Sequence, residues 1–264
     1  MKRVLSTGLL GLVLACGDTG QARVSVALTA TGSAAESVTI ADATVMLTRA
    51  DVALGPLYFC ASAIGRAELC EVAVAELLPV VVLHGLDPTP QALGALDATT
   101  GNIMSAIYDY GISWLLTQNQ PRASTSALDG HSAVLEGVIM RGGRTLRFSA
   151  QIDALPRVAG DQTVNGQRTS HALVSHTEQL TLTVDPNRWV DRLDVEALFA
   201  RDTDGDGVVT IAPADSAAEA SHMLPGVPDG GSSDAGSAAR EVDTSYESIL
   251  QGMTTRAPLG FVWH

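Results

Sequence analysis

Apolar and polar residues alternate along most of the chain. In RVSVALTA, the apolar residues Val24, Val26 and Leu28 fall on one face of an extended segment, and the same period of two runs through LRFSAQID, residues 146–153. Alternation predicts strands that turn one face to a core and the other to water. Many such strands, separated by turn residues, predict an all-β fold: an antiparallel β-sandwich of Greek-key or jelly-roll type.

Two stretches illustrate the strands and their turns. Gly142-Gly143 lies between two alternating segments and supplies the positive backbone angles of a tight hairpin. The longest alternating stretch is NIMSAIYDYGISWLL, residues 102–116. We expect one of its faces, from Met104 to Trp114, to meet the core. The opposite face carries Asp109 and is expected to be partly exposed to water.

Two segments depart from alternation and predict one or two short helices. In AELCEVAVAELL, residues 67–78, apolar positions recur at helical spacing and Pro79 ends the pattern. In DPNRWVDRLDVEALFA, residues 185–200, Asp185 can cap a helix and Pro186 suits its first turn.

Residues 213–243 differ in composition from the rest of the chain. They are rich in Ala, Gly, Ser, Pro and Asp and contain few large apolar residues. Such a segment cannot bury enough apolar surface to fold alone. We therefore predict a flexible low-complexity insertion at 213–243, within a single β-sandwich domain at residues 22–264.

The N-terminus has the order of parts of a secretory signal. Lys2 and Arg3 precede an apolar run that ends at Ala15. That run is shorter than the roughly 20 residues that a membrane-spanning helix needs.

The end of this run, Val13-Leu14-Ala15-Cys16, resembles the lipobox of bacterial lipoproteins. The resemblance implies a signal peptide at residues 1–15, cleavage before Cys16, lipidation of Cys16, and a lipidated tether at residues 16–21. Two or more acyl chains anchor a protein stably in a membrane, whereas one gives only marginal binding. Plain secretion, with Cys16 as a spare cysteine, is the alternative.

The charge balance argues against some classes of partner. Sixteen basic residues face 29 acidic ones, so the formal net charge is −13. This balance disfavours binding to nucleic acid or electrostatic docking on anionic lipid. Aromatic residues make up only 4% of the chain, which predicts a mainly aliphatic core.

Cys60 and Cys70 are the two cysteines that follow the N-terminal motif. In the oxidising compartment of an exported protein they are expected to form a disulfide that closes a short loop. Free thiols and a metal site are the alternatives. A metal site would need two more ligands nearby in the sequence, and none is present.

The loop at residues 201–215, which begins RDTDGDGVV, resembles the first nine residues of an EF-hand or dockerin-type calcium loop. In such a loop, carboxylates at alternate positions converge on Ca²⁺ and a glycine makes the sharp bend, here Gly207. The resemblance implies the calcium ligands Asp202, Asp204, Asp206, Val208 through its carbonyl, and Thr210.

The loop departs from the EF-hand pattern at its twelfth position. An EF-hand has a bidentate Glu there, whereas this chain has Pro213, with Asp215 and Glu219 coming later. The outgoing residues VVTIAP predict a strand, so we expect an isolated aspartate loop in a β protein. With one carboxylate missing, the expected calcium affinity is weak, with a Kd of about 10⁻⁴ to 10⁻³ M. A solvated acidic turn is the alternative.

Other motifs assign no catalytic residue. GHSAV around Ser132 begins like a nucleophile elbow, but Val134 replaces its final glycine and the stretch opens a hairpin strand. His171 and His176 are five residues apart, which places them on opposite faces of a regular strand. A copper or zinc site that draws on scattered histidines stays open as an alternative, its candidates being His84, His131, His171 and His176.

The sequence therefore predicts a lipid-anchored, non-catalytic binding or structural module of the cell envelope, facing the periplasm or the outside. Its expected partners are the membrane, through the lipid, and an envelope protein or glycan, with no nucleic acid. Two alternatives belong to other classes: a periplasmic metal-handling protein of the copper type, and an envelope hydrolase without a recognisable motif.

Overall fold

A computed structural model gives the positions of residues 21–64, 70, 73–174, 177–213 and 244–264. Within these residues the protein has sixteen strands and two short α-helices. The predicted all-β fold with one or two short helices is therefore confirmed. The predicted signal peptide, the lipidated tether up to residue 20 and residues 214–243 of the predicted insertion lie outside the described residues.

The first half of the described chain contains ten strands: β1 (Arg23–Thr31), β2 (Ser37–Ile40), β3 (Ala43–Leu54), β4 (Leu57–Cys60), β5 (Ala73–Leu77), β6 (Val81–His84), β7 (Gln91–Thr99), β8 (Gly101–Tyr108), β9 (Ile112–Ser113) and β10 (Arg122–Ala123). The second half contains β11 (Ala133–Arg141), β12 (Arg144–Ile152), β13 (Val164–Leu173), β14 (Thr177–Thr183), α1 (Val195–Arg201), β15 (Val208–Ile211), α2 (Thr244–Gln251) and β16 (Gly260–Trp263). Neither of the described α-helices is long and apolar enough to span a bilayer.

Most strands of the described chain belong to two sheets. The larger sheet has eight strands in the order β13-β8-β4-β5-β7-β1-β14-β16. The smaller sheet runs β15-β12-β11-β3-β2, and β6 pairs with the other end of β3. Neighbouring strands are antiparallel except for two parallel pairs, β1 with β14 and β12 with β15.

One hydrophobic cluster, drawn from both sheets, forms the core. The alternating segments direct their apolar residues into it as the sequence predicts. Val26 and Leu28 of β1 and Leu146 and Phe148 of β12 are all at most 3% exposed. Burial of one such side chain contributes about 1.5–3 kcal/mol relative to exposure, so the alternating strands supply much of the driving force for folding.

The predicted hairpin at Gly142-Gly143 joins β11 to β12. The two glycines have φ angles of 55° and 80°. A Cβ at either position would meet no atom within 4 Å, so backbone conformation, and not crowding, is the reason for glycine there. The turn fixes the register in which Arg141 pairs with Arg144.

The two edge strands of the larger sheet meet through side chains. The ring of His171 on β13 stacks on the ring of Trp263 on β16, with 4.4 Å between centroids. Next to it, the Gln167 side chain donates from Nε2 to the carbonyl of Leu259. Edge strands carry unpaired backbone groups, and these contacts cover part of both edges.

The predicted disulfide between Cys60 and Cys70 is present, with 5.2 Å between the two Cα atoms. It connects the end of β4 to the residues that precede β5, two strands that also pair with each other. The bond therefore closes the loop of a β-hairpin in the larger sheet.

The helix predicted at residues 67–78 is wrong where the structure describes it. Residues 73–77 form β5, which pairs with β4 and β7. Val74, Ala75 and Leu77 are buried in the sheet. Ala and Glu are good helix formers, but helix propensity amounts to less than about 1 kcal/mol per residue, and burial between two neighbouring strands outweighs it.

The long strand predicted at residues 102–116 is interrupted. β8 ends at Tyr108, and β9 begins at Ile112 in a separate two-stranded ribbon. At the break, Gly111 has a φ of 77°, and a Cβ there would lie 2.8 Å from the Cβ of Ala53. Close packing therefore requires glycine at this position and turns the chain away from the sheet. Met104, expected in the core, is 47% exposed.

Replacement of both Cys60 and Cys70 by alanine is expected to lower the free energy of unfolding by about 2–3 kcal/mol, because a loop of this length loses its covalent closure. Urea unfolding of the purified protein, with and without reductant, measures the change. The Cys16→Ala variant is the control and should unfold like the wild type. Equal stability of the double variant and the wild type would contradict the prediction.

Candidate functional site

The aspartate loop follows α1 directly. Asp194 caps this helix by accepting a hydrogen bond from the backbone N–H of Ala197 at 3.0 Å. The helix thus begins at Val195, nine residues after the start predicted at Pro186, with Asp194 and not Asp185 as its cap. The earlier residues form only one 3₁₀ turn, Pro186–Arg188, and Trp189 next to it is fully buried in the core.

The three loop aspartates converge. One carboxylate oxygen from each of Asp202, Asp204 and Asp206 lies within 4.8 Å of the other two. Among the described residues, no other three His, Cys, Asp or Glu side chains are grouped in this way. Gly205 and Gly207 have φ angles of 75° and 73°, which let the chain turn back on itself between the carboxylates.

Backbone N–H groups hold each carboxylate in place. Gly207 donates to Asp202 Oδ1 at 3.1 Å, and Val208 donates to Asp206 Oδ1 at 2.8 Å. A longer bond of 3.4 Å joins the N–H of Asp206 to Asp204 Oδ1. These bonds pre-arrange the loop and engage one oxygen of each carboxylate.

Arg144 occupies the second oxygen of Asp202. Its Nη2 donates to Asp202 Oδ2 at 3.1 Å, and its guanidinium lies 4.9 Å from the centre of the Phe199 ring. The Asp202 side chain is only 4% exposed, whereas Arg144 is 61% exposed. A cation that binds all three aspartates would therefore compete with Arg144 for Asp202.

The outgoing residues form β15, as the sequence predicts. β15 pairs in parallel with β12, and the N–H of Arg147 donates to the carbonyl of Gly207 at 2.8 Å. Val209 is buried and fixes the loop to the core. At Thr210 the side chain is exposed and the carbonyl accepts a hydrogen bond from Arg201. Asp215 and Glu219 lie outside the described residues.

The described histidines do not come together. His84 Nδ1 lies 2.7 Å from Asp51 Oδ1, and His131 Nδ1 lies 2.8 Å from Asp153 Oδ1. His171 makes its hydrogen bond to Glu178. Each of the three therefore pairs with a different carboxylate. His176 lies outside the described residues, as does Cys16.

Ser132 has a structural role. It is fully buried, and its Oγ accepts a hydrogen bond from the N–H of Ala154 at 3.0 Å. Its own backbone N–H donates to the carbonyl of Ile152. A buried hydroxyl that is committed to backbone atoms does not present a nucleophile to a substrate.

Asp109 is a residue whose burial the sequence pattern does not predict. It was expected on a partly wet face, yet it is 1% exposed. Thr163 donates its backbone N–H to Asp109 Oδ1 at 2.7 Å. Burial raises the pKa of Asp109 to about 6, although hydrogen bonds from Thr163 and Ser113 oppose the rise. A buried acid of this kind is a frequent mark of a functional site.

No protein-family model, curated protein or solved structure matches the chain. Its function must therefore be argued from its own residues. In the described part of the chain, the aspartate loop and the buried Asp109 are the two features with chemistry that packing alone does not require.

The Asp109→Asn variant is expected to become more stable relative to the wild type as pH rises. The pKa of this carboxyl is about 6 in the folded protein and 3.8 in its unperturbed state, so the folded protein holds the proton more tightly. The contribution of Asp109 to wild-type stability therefore falls as pH rises from about 4 to about 6, by roughly 2–3 kcal/mol. Asparagine keeps an acceptor oxygen for Thr163 but cannot ionise.

Urea unfolding of both proteins at a series of pH values measures this difference. The Asp97→Asn variant removes a carboxylate that is exposed, and it should follow the wild-type pH dependence. Parallel pH profiles for the wild type and Asp109→Asn would show that Asp109 does not titrate abnormally.

Proposed function

We propose that the protein is a cell-envelope lipoprotein that acts as a non-catalytic binding or structural module and carries a structural calcium site. Its acyl chains on Cys16 would hold it at a membrane, and its folded domain would meet an envelope protein or glycan. The observation that carries the calcium site is the convergence of three carboxylate oxygens within 4.8 Å.

The lipobox-like residues support the anchor. Arg23, the first residue of β1, follows Cys16 by only seven residues. Because an extended chain spans at most about 3.5 Å per residue, this tether would hold the start of β1 within about 25 Å of the acyl chains. A lipid on Cys16 would therefore keep the domain close to the membrane surface.

The loop chemistry supports calcium as the cation. Ca²⁺ is a hard ion that binds carboxylate, carbonyl and water oxygens. The proposed ligands are Asp202, Asp204, Asp206, the carbonyl of Val208 and, through its side chain or water, Thr210. Pro213 supplies no carboxylate where an EF-hand has its glutamate, so the affinity should be weak.

A bound cation would act as a structural clip. Asp202 ends α1, Asp206 holds the first N–H of β15, and Arg144 ties Asp202 to the hairpin turn between β11 and β12. Three carboxylates that are this close repel one another, and a divalent cation would relieve that repulsion. Binding would thus stabilise the point where helix, strand and hairpin meet.

Calcium is expected to raise the melting temperature of the wild type but not of the Asp204→Asn/Asp206→Asn variant. At about ten times the dissociation constant, a ligand stabilises by about 1.4 kcal/mol, which is a rise of roughly 3–6 °C. Asparagine keeps the acceptor oxygens that receive the N–H groups of Asp206 and Val208, so the loop is kept while two charges are lost. Thermal unfolding in EDTA and in millimolar calcium measures the shift.

The matched control is Asp97→Asn/Asp129→Asn, which removes two exposed carboxylates outside the loop. This variant should keep the full calcium response. If calcium and magnesium gave the same shift in all three proteins, the loop would be an ordinary acidic turn with only general screening of charge.

Metabolic labelling is expected to incorporate palmitate into the wild type when the protein is expressed in a bacterium. The Cys16→Ser variant should incorporate none and should leave the membrane fraction, because it lacks the acyl acceptor. Equal labelling of the two proteins, or a soluble unlabelled wild type, would contradict lipidation.

A further inference from the structure

A pocket of about 380 Å³ opens at one end of the larger sheet. It lies where β8 ends and β4 begins, between the segment 113–117 and the segment 160–162. Its volume falls in the range of about 300–1,000 Å³ that is typical of small-molecule sites. The pocket is separate from the aspartate loop, since none of its lining residues belongs to that loop.

Hydrogen-bond acceptors line the polar part of this pocket. Asp109 contributes a buried carboxyl, and Asp161 contributes a second carboxyl. Gln162 also lines it, and its side-chain oxygen Oε1 is buried without a hydrogen-bond partner. A buried acceptor that lacks a partner is destabilising, and a ligand donor that reached it would offset this loss.

Apolar and aromatic groups form the remaining walls. Pro56, Tyr58 and Trp114 line the interior. Leu115 and Leu116 extend from it to the surface, where they are 57% and 81% exposed. Two adjacent leucines with such exposure form an apolar rim beside the acceptors, which suits a ligand with an apolar body.

The rim is held in place by hydrogen bonds and not by burial of its leucines. The N–H of Gln118 donates to the carbonyl of Leu115 at 2.9 Å, and the indole of Trp114 donates to the carbonyl of Gln118 at 3.1 Å. From the opposite wall, Gly160 donates to the carbonyl of Trp114 at 2.6 Å. The exposed leucines are thus part of a fixed turn that joins the two walls.

The carboxyl of Asp109 has no cationic partner within the part of the chain that the structure describes. The groups that set its pKa are burial and hydrogen bonds from Thr163 and Ser113, with no arginine or histidine among them. A buried carboxylate without a counter-ion is destabilising unless something compensates for it. A ligand cation would provide that compensation.

We propose that this pocket binds a small organic amine, with its ammonium group at Asp109 and Gln162 and its apolar body against Trp114 and Leu116. The acceptors select a donor-rich head group, and Trp114 and Tyr58 offer aromatic faces to a cation. The net charge of −13 attracts cations to the surface in general. The proposal does not depend on calcium binding or lipidation.

The pocket lies far from the N-terminal end of the fold. β8 starts next to Ala22, where Thr100 donates to the Ala22 carbonyl at 2.8 Å, and then runs eight residues to the pocket. At about 3.3 Å per residue this separates the two by roughly 25 Å. If the proposed lipid anchor holds, the pocket opens at the end of the sheet opposite the tether.

Isothermal titration with phenethylamine tests the proposal on the purified full-length protein. Phenethyl alcohol and phenylacetate have the same apolar body with a neutral or an anionic head group. Binding of phenethylamine at least about tenfold tighter than either is expected, because a charged hydrogen bond in a buried site accounts for such a factor.

Two pairs of variants locate the site. Asp109→Asn should weaken phenethylamine binding about tenfold or more, whereas Asp97→Asn removes an equal charge elsewhere and should not. Leu116→Arg places a cation at the rim and should also weaken binding, whereas the neutral Leu116→Gln should weaken it less. Because Leu116 is 81% exposed, this second pair tests the pocket without disturbing the core.

Three results would overturn the proposal. The first is no heat of binding with phenethylamine at millimolar concentration; the second is binding that Asp109→Asn leaves unchanged. The third is self-association that Leu116→Arg abolishes while phenethylamine does not bind, which would assign the apolar rim to contact between two copies of the chain.

Discussion

The contact between the two edges of the larger sheet constrains the rest of the fold. Trp263 and Phe261 on the C-terminal strand each pack edge-on against Phe59 of β4, with 5.2 Å between centroids. Trp263 also stacks on His171 of the opposite edge strand. The last strand in the order of the sheet, only four residues long, thus packs against the first and third strands. Aromatic residues are scarce in this chain, and their concentration here makes the contact between the two sheet edges specific.

Beside this contact, three consecutive buried polar residues differ in their partners. The hydroxyls of Tyr108 and Tyr110 bond to Gln167 and to the carbonyl of Met253. Asp109, the residue between these tyrosines, has hydrogen bonds but no counter-ion among the described residues. The fold therefore gives both tyrosine hydroxyls a hydrogen-bond partner. It leaves the ionised form of Asp109 destabilised at neutral pH. Local destabilisation of this kind is common where a residue serves binding and not folding.

The two sites differ in how they are built. The aspartate loop is local, since residues 202–208 contain the three carboxylates, the two glycines and the N–H groups that orient them. The amine pocket is assembled from three separate segments, at 56–58, 109–117 and 160–162. The two sites also differ in their electrostatics. The loop gathers three carboxylates that a metal ion can join, whereas the pocket buries one carboxylate that an organic cation can neutralise.

The sequence alone determined the features that depend on neighbouring residues. Alternation placed the apolar faces of β1 and β12, paired glycines defined the hairpin at Gly142, and the spacing of the aspartates placed the loop, because these follow from local backbone geometry. Tertiary structure decided the rest. Residues 73–77 became a strand because two strands flank them, and Asp109 became buried because the chain turns at Gly111 against Ala53. Burial and strand pairing join residues far apart in the chain, and no local pattern records them.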